Sequence, residues 1–345
     1  MTLRFAYNNH HFVTEVRRRG GASVPARFDT MLQAGWRDRV DRGLFRYNLG
    51  DLQTRILPGP HRFVAQLNPL RATQRRQPQE ILSIRQEFSS ELFNFNKVKP
   101  EEVVLELVKD SESSRVVVLV NVSPLEFGHC LLVPDPSRCL PQVLTRSAVQ
   151  AGMESVLLSG DPAFRVGFNS LGAFASVNHL HLHSYYLDHE LNIESTPGQP
   201  LVPERGFHSL QGFPQGFLFY AEPDRVEDVA GAVCQLTDFL VENNTAHNVF
   251  MTRGCPPYHG DQESRQRRDG LRVAVWPRLM CLGAKEDSAF NIALCELAGH
   301  LPFRTQRDYE LATEKYVTDT IQKFLLPDAE FLSLQQQLTR HLNNS

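Results

Sequence analysis

The constraint that most limits what this chain can become is twelve residues long: Ser176-Val177-Asn178-His179-Leu180-His181-Leu182-His183-Ser184-Tyr185-Tyr186-Leu187. Three histidines occupy every second position, with leucines between them. In an extended strand, side chains alternate faces with period two. His179, His181 and His183 would then share one face, about 6–7 Å apart at roughly 3.3 Å rise per residue, and Leu180 and Leu182 would point into a core. In a helix the same rings would fan apart at about 100° per residue. The flanking Val177, Tyr185 and Tyr186 favour the strand. Three imidazoles on one strand face are costly to desolvate unless they do something. Incidental surface histidines are the bland reading. The triplet alone leaves two sharper ones open: a metal site of the kind zinc favours, or a nucleophilic histidine with two supporting ones.

The 345 residues can bury one large core or two fused smaller ones, and the formal net charge of −3 argues against a nucleic-acid surface. No apolar run approaches the roughly 20 residues of a membrane span, and Met1-Thr2-Leu3-Arg4-Phe5 lacks an apolar signal region. Six scattered cysteines without a C-x-x-C pair fit free thiols in a reducing cytosol, so a cytoplasmic location is expected.

Along the chain, residues 1–27 read as a polar, loosely ordered start. A helix opens at Phe28-Asp29-Thr30, with Asp29 or Thr30 as the cap, and runs to about Arg46. Residues 61–68 read as a strand, and 71–79 as a basic loop with Arg75-Arg76 as a solvated charge pair. Strands are expected at 103–108, 115–121, 129–134 and 164–169, with a helix at 143–159 and a glycine turn at Ser170-Leu171-Gly172-Ala173 before the triplet strand. A Pro/Gly-rich connection over 189–215 separates this half, 28–188, from a second of similar rhythm, 216–345. There strands are expected at 216–220, 246–252, 271–278 and 290–295, a polar, mobile loop at 253–269, and helices at 225–243, 307–324 and 328–342. The pattern is α+β, with antiparallel sheets and packed helices. The second half has no histidine triplet, which fits a duplication in which one copy keeps the chemistry.

Two blocks together are more specific than the triplet. Asn121-Val122-Ser123-Pro124-Leu125-Glu126-Phe127-Gly128-His129-Cys130-Leu131-Leu132-Val133-Pro134 is a Ser-Pro loop ending in a histidine, and Asn169-Ser170-Leu171-Gly172-Ala173-Phe174-Ala175-Ser176 leads into the triplet. They resemble the signature blocks of the histidine-triad superfamily of nucleotide hydrolases and transferases. Phe28-Asp29, Gly43 to Tyr47, Phe63 to Asn68, Phe93 to Val98, Gly299-His300 and Asp308-Tyr309-Glu310 narrow the resemblance to the GDP-hexose phosphorylases, in the galactose-1-phosphate-uridylyltransferase-like branch. The likeness runs from about residue 28 to 325.

That resemblance implies a duplicated histidine-triad-like fold and a reaction with GDP-glucose and inorganic phosphate as small-molecule partners. GDP and glucose 1-phosphate would be made through a guanylyl-histidine on His181, without metal or other cofactor. It implies supporting roles for His179, His183 and His129, phosphate or nucleotide contacts for Ser176, Asn169 and Gly172, a ribose contact for Asn121, and a base contact for Phe95, with Phe93 beside it. For Ser176, Gly172, Asn121 and Phe95 the plain alternatives are a strand-edge hydroxyl, a turn glycine, a strand-end Asn and core packing. His183 stands where plant relatives and the uridylyltransferases carry Gln and where hydrolases carry His. The rival readings are therefore a GDP-sugar hydrolase releasing GMP and a zinc enzyme built on the triplet. No guanine-reading motif is visible.

Overall fold

The computed structural model describes residues 2–14, 16, 26–76, 78–110, 115–258, 268–282 and 289–344. In chain order the elements are β1 (Leu3–Tyr7), α1 (Arg27–Asp41), β2 (Thr54–Ile56), β3 (Val64–Leu67), α2 (Pro69–Gln74), β4 (Val103–Lys109), β5 (Arg115–Val120), β6 (Cys130–Pro134), α3 (Arg146–Leu158), β7 (Phe164–Asn169) and β8 (Leu182–Tyr186). They continue with β9 (Gly198–Val202), β10 (Phe207–Leu210), β11 (Phe217–Ala221), α4 (Val226–Glu242), β12 (Ala246–Gly254), β13 (Gly270–Arg278), α5 (Leu294–Ala298), β14 (His300–Phe303), α6 (Gln306–Leu311), α7 (Glu314–Gln322) and α8 (Asp328–Asn343). Among the described residues no helix is long and apolar enough to cross a membrane.

Eleven strands form one sheet in the order β1-β4-β5-β6-β8-β7-β12-β13-β11-β10-β9, and β14-β3-β2 form a small second sheet. Every pairing in the large sheet is antiparallel except β1 with β4. The order repeats. Read inward, β4-β5-β6-β8-β7 has α3 between its third and fourth strands in chain order, and β9-β10-β11-β13-β12 has α4 in the same place. The two units meet where β7 pairs with β12, with Asn169 opposite Asn248.

Period-two alternation sorts the side chains onto two faces. Val116, Val118, Val120, Cys130, Leu132, Leu180 and Leu182 pack into a core under α1, α3, α4 and α8. Val117, Leu119, Leu131 and Val133 face the other way, with Phe95 and Val177. Gly152 of α3 lets helix and sheet approach closely: a Cβ there would sit 2.9 Å from Met251 Sδ and 3.0 Å from Leu182 Cδ2. On the opposite face the small sheet and α5–α7 cover the strands of the second unit through Trp276, Phe290, Leu297, Leu301 and Phe303. The site opens on that face.

Several expectations need correction. The chain start is not loose throughout, because Leu3–Tyr7 add an edge strand in register with Leu105–Lys109. α1 begins at Arg27 after Ala26, without a side-chain cap, and ends at Asp41. Asp29 is buried within its first turn, accepting hydrogen bonds from Ser159 Oγ, Gly160 N and Tyr186 Oη. Residues 71–79 are not all loop, since Pro69–Gln74 form a helix capped by Asn68. The 189–215 connection holds β9 and β10, because the second unit needs its two outer strands. Residues 290–295 are not a strand; Leu294–Ala298 form a short helix, and the strand is His300–Phe303. The expected helix at 307–324 breaks at Ala312-Thr313, where Thr313 Oγ1 caps α7. Most of the expected loop at 253–269 lies outside the described residues.

Candidate active site

The triplet keeps its alternation but not its ladder. Only Leu182–Tyr186 pair as a strand. Ahead of them, side chains and a loop carbonyl take over the backbone groups that a neighbouring strand would have bonded. Asn178 N–H donates to Gln79 Oε1 at 2.9 Å, Leu180 N–H to the Leu140 carbonyl at 2.9 Å, and His181 N–H to Gln142 Oε1 at 2.9 Å. Gln142 Nε2 donates to the His181 carbonyl at 3.1 Å and to the Asn169 carbonyl at 3.0 Å. Asn178 Oδ1 accepts from Gln142 N–H at 2.9 Å. His181 is thus held from both sides by one buried glutamine, in an irregular segment beside the sheet.

The hydrogen-bond partners set the tautomers. His181 Nδ1 lies 2.7 Å from the His179 carbonyl, an acceptor only, so Nδ1 carries the proton. Nε2 keeps its lone pair and has no hydrogen-bond partner among the described residues. Burial lowers the His181 pKa to about 4, with the bond to the His179 carbonyl opposing the shift. The ring is therefore neutral at pH 7.

A second relay begins at Leu125. Its N–H donates to His129 Nδ1 at 2.8 Å, so the His129 proton is on Nε2. That atom lies 3.1 Å from His183 Nδ1, which must accept. His183 then bears its proton on Nε2. Burial, reinforced by the neighbouring rings and Arg71, holds His129 and His183 well below the ordinary imidazole range. Asn121 Nδ2 sits 3.2 Å from His129 Nε2, and Asn121 Oδ1 accepts from Ser123 N–H at 3.0 Å. His179 Nδ1 accepts from Phe95 N–H at 3.0 Å, and burial lowers the His179 pKa against the opposing pull of the Pro136 carbonyl. Its ring stacks on Phe95 at 27°. Among the described residues no group of three or more His, Cys, Asp and Glu is arranged to hold a metal ion.

Two adjoining cavities meet at Arg71, Arg75, Ser176 and His183. The smaller, about 110 Å³, has apolar lining from Phe93, Phe95, Val98 and Leu119, with His181 and Asn121 also on its walls. Phe95 packs on His181 with ring centroids 4.9 Å apart. The larger, about 510 Å³, is polar, with Asn169, Asn291, Glu296 and Arg304 on its walls. Asn169 pins the junction of the two units, its Oδ1 accepting from Asn248 Nδ2 at 2.6 Å and Leu294 N–H at 2.9 Å.

The structure therefore brings His181, His183, His129, Ser176, Asn169, Asn121 and Phe95 to the cavity walls. His179 and Gly172 line neither cavity. His179 instead supplies the carbonyl that fixes the His181 tautomer. Gly172 has φ +73°, and a Cβ there would meet Met280 Cγ at 2.8 Å, so its requirement is a turn against Met280 and Ile84.

The expectation of a solvated Arg75-Arg76 pair is overturned. Arg75 is half-buried in the larger cavity, and burial together with Arg71 and Arg304 lowers its pKa. Arg76 lies over the Phe93 ring at 3.1 Å. Sequence reasoning also missed Gln142 and Arg304, and left Glu296 unassigned. The arginine density after Asn68 was the sequence signal for Arg71, Arg75 and Arg76.

Comparison with known proteins assigns the chain to a family. The family model "GDPGP1-like, N-terminal domain" matches residues 27–185, and "GDPGP1-like, C-terminal domain" matches residues 194–345. The chain is 56% identical over 339 residues to GDP-D-glucose phosphorylase 1 of Danio rerio, covering 98% of each. It is 49% identical over 321 residues to the Homo sapiens protein of that name, covering 90% of this chain and 83% of the relative. GDP-L-galactose phosphorylase 2 of Arabidopsis thaliana is 29% identical over 334 residues, covering 88% and 74%. Among solved structures, the yeast Ap4A phosphorylase Apa2 in complex with Ap4A superposes with a TM-score of 0.59 at 16% identity, over 88% of this chain and 99% of that one; this likeness is one of fold. With both family models matched and close full-length relatives on either side, the chain belongs to the GDPGP1-like family.

Proposed function

We propose that this protein is a nucleotidyltransferase, a GDP-D-glucose phosphorylase converting GDP-glucose and phosphate to GDP and glucose 1-phosphate by double displacement. The observation that carries the reading is His181: a buried, neutral imidazole whose Nδ1 proton is held by a backbone carbonyl and whose Nε2 is left to attack. The Nε2 lone pair attacks the α-phosphorus, the bond to the bridging oxygen breaks, and its electron pair leaves with glucose 1-phosphate. The adduct ring is cationic, and the His179 carbonyl stabilises that charge through Nδ1–H. A phosphate oxygen then forms the new bond to phosphorus, and the electron pair of the breaking N–P bond returns to His181.

The relay through His129 supports phosphate over water as acceptor. His183 Nε2–H is a donor suited to the phosphoryl oxygens, so it offers no base to deprotonate water. Hydrogen phosphate attacks through an oxygen that is already anionic. Arg71, Arg75 and Arg304 give the larger cavity the charge that a sugar phosphate or free phosphate needs. In this reading the half 28–188 carries the nucleophile, and the half 216–345 walls the sugar side through Asn291, Glu296 and Arg304. The six cysteines are free, which fits a cytoplasmic enzyme.

The test is to incubate the protein with GDP-glucose, with and without phosphate, and follow intact mass and products. The expected result is a guanylyl adduct without phosphate, absent in His181→Ala, that discharges as GDP when phosphate is added. Free GMP release that phosphate leaves unchanged would make the enzyme a hydrolase.

A further inference from the structure

The smaller cavity holds an acid and a base that the mechanism does not use. The Arg76 Cζ lies over the Phe93 ring, 3.1 Å from its centroid. No hydrogen bond to its guanidinium is formed among the described residues, and its Nη1 is also shut off from solvent. Glu102 lines the same cavity. Its Oε1 accepts from Lys99 N–H at 3.2 Å, and its other oxygen has no partner among the described residues. The two side chains feel one another's charge without forming an ion pair. A guanidinium stacked on an aromatic face and left without acceptors carries a desolvation cost that a ligand can relieve.

We propose that Arg76 and Glu102 read the base of the nucleotide: the Arg76 guanidinium donates to guanine O6 and N7, and the Glu102 carboxylate accepts from N1–H and the 2-amino group. Geometry and chemistry point the same way. The apolar lining of Phe93, Phe95, Val98 and Leu119 suits a planar ring. His181 and Asn121 line the same cavity, and in the guanylyl-transfer reading they take the α-phosphate and the ribose, which leaves Arg76 and Glu102 as the polar groups for the base. Guanine presents two acceptors beside two donors, the complement of a guanidinium beside a carboxylate. Adenine turns an amino group toward the arginine and has no N1–H for the carboxylate. Both protein groups would then stay unpaired, the arrangement that discriminates most strongly between substrates.

This inference rests on the guanylyl-transfer reading for the orientation of the nucleotide, but its test does not need turnover. Titration calorimetry with GDP, inosine diphosphate and ADP would be run on the full chain, on Glu102→Ala and on Arg76→Leu, which keeps an apolar cover on Phe93. The wild type is expected to bind GDP on the order of 10²-fold more tightly than ADP. It should bind inosine diphosphate, which lacks the 2-amino group, about tenfold more weakly than GDP. Glu102→Ala should erase the difference between GDP and inosine diphosphate, and Arg76→Leu should shrink the preference for GDP over ADP by at least about tenfold. General damage would weaken all three nucleotides together. The proposal is overturned if the wild type binds GDP and ADP alike, or if both variants keep the wild-type ratios. If the ratios move as expected while no guanylyl adduct forms with GDP-glucose, base reading stands and the phosphorylase reading falls. If the adduct forms and the ratios stay fixed, base reading alone falls.

Discussion

At the scale of single residues, the site is a set of assigned protons. His181 and His183 stand two positions apart in sequence and carry their protons on different nitrogens, because one meets a carbonyl and the other a neighbouring Nε2–H. His183 has to accept on one side and donate on the other, and a glutamine amide can do both. His183→Gln should therefore stay within about tenfold of wild-type kcat, whereas His183→Leu, which removes the donor, should lose on the order of 10²-fold. Steady-state phosphorolysis of GDP-glucose measures both. Equal losses in the two variants would mean that His183 acts through ring shape and not through its proton.

At the scale of elements, the segment that carries His181, the proposed nucleophile, is positioned by what it lacks. Residues 176–181 leave the ladder, and Gln142, just ahead of α3, supplies hydrogen bonds to both backbone groups of His181. This glutamine is 1% exposed, so cutting it back strands buried donors and acceptors. Gln142→Ala should cost about 2–3 kcal/mol of stability. It should also slow adduct formation more than it weakens GDP binding, because the nucleotide cleft does not include it. Urea unfolding with single-turnover kinetics separates the two effects, and an unchanged adduct rate per folded molecule would reduce Gln142 to a purely structural role. No periodicity marks Gln142: its partners are 27 and 39 residues away.

At the scale of the whole molecule, burial sets reactivity. The large sheet and the aromatic turn at Phe95 together bury His181 and move its pKa down to about 4. In the proposed mechanism protonation of His181 removes the attacking lone pair, so this group costs activity on the acid side. An exposed histidine would begin to lose its lone pair near pH 6.5. The pyrophosphate of GDP-glucose stays ionised throughout this range. The single-turnover rate of adduct formation should therefore be flat from pH 8 to about 5 and fall only as pH approaches 4. An acid limb centred near 6.5 would show that the ring is solvated in the working enzyme.

The alternation of histidine and leucine determined locally which side chains face the core and which face the site, because a period of two in an extended chain admits one sorting. The Ser-Pro-to-histidine block and the triplet, read together, marked the chemistry, and the strand rhythm of the two halves marked the repeat. The tertiary structure alone decided the rest. It turned Arg75 and Arg76 from a solvated pair into cavity walls, because helix α2 folds that stretch back over the Phe93 turn. It brought Asn291, Glu296 and Arg304 from the second unit into the cavity that His183 of the first lines, across more than a hundred residues of sequence that no local pattern encodes. It also set which nitrogen of each histidine is free, since a tautomer belongs to the partner that space provides and not to the residue.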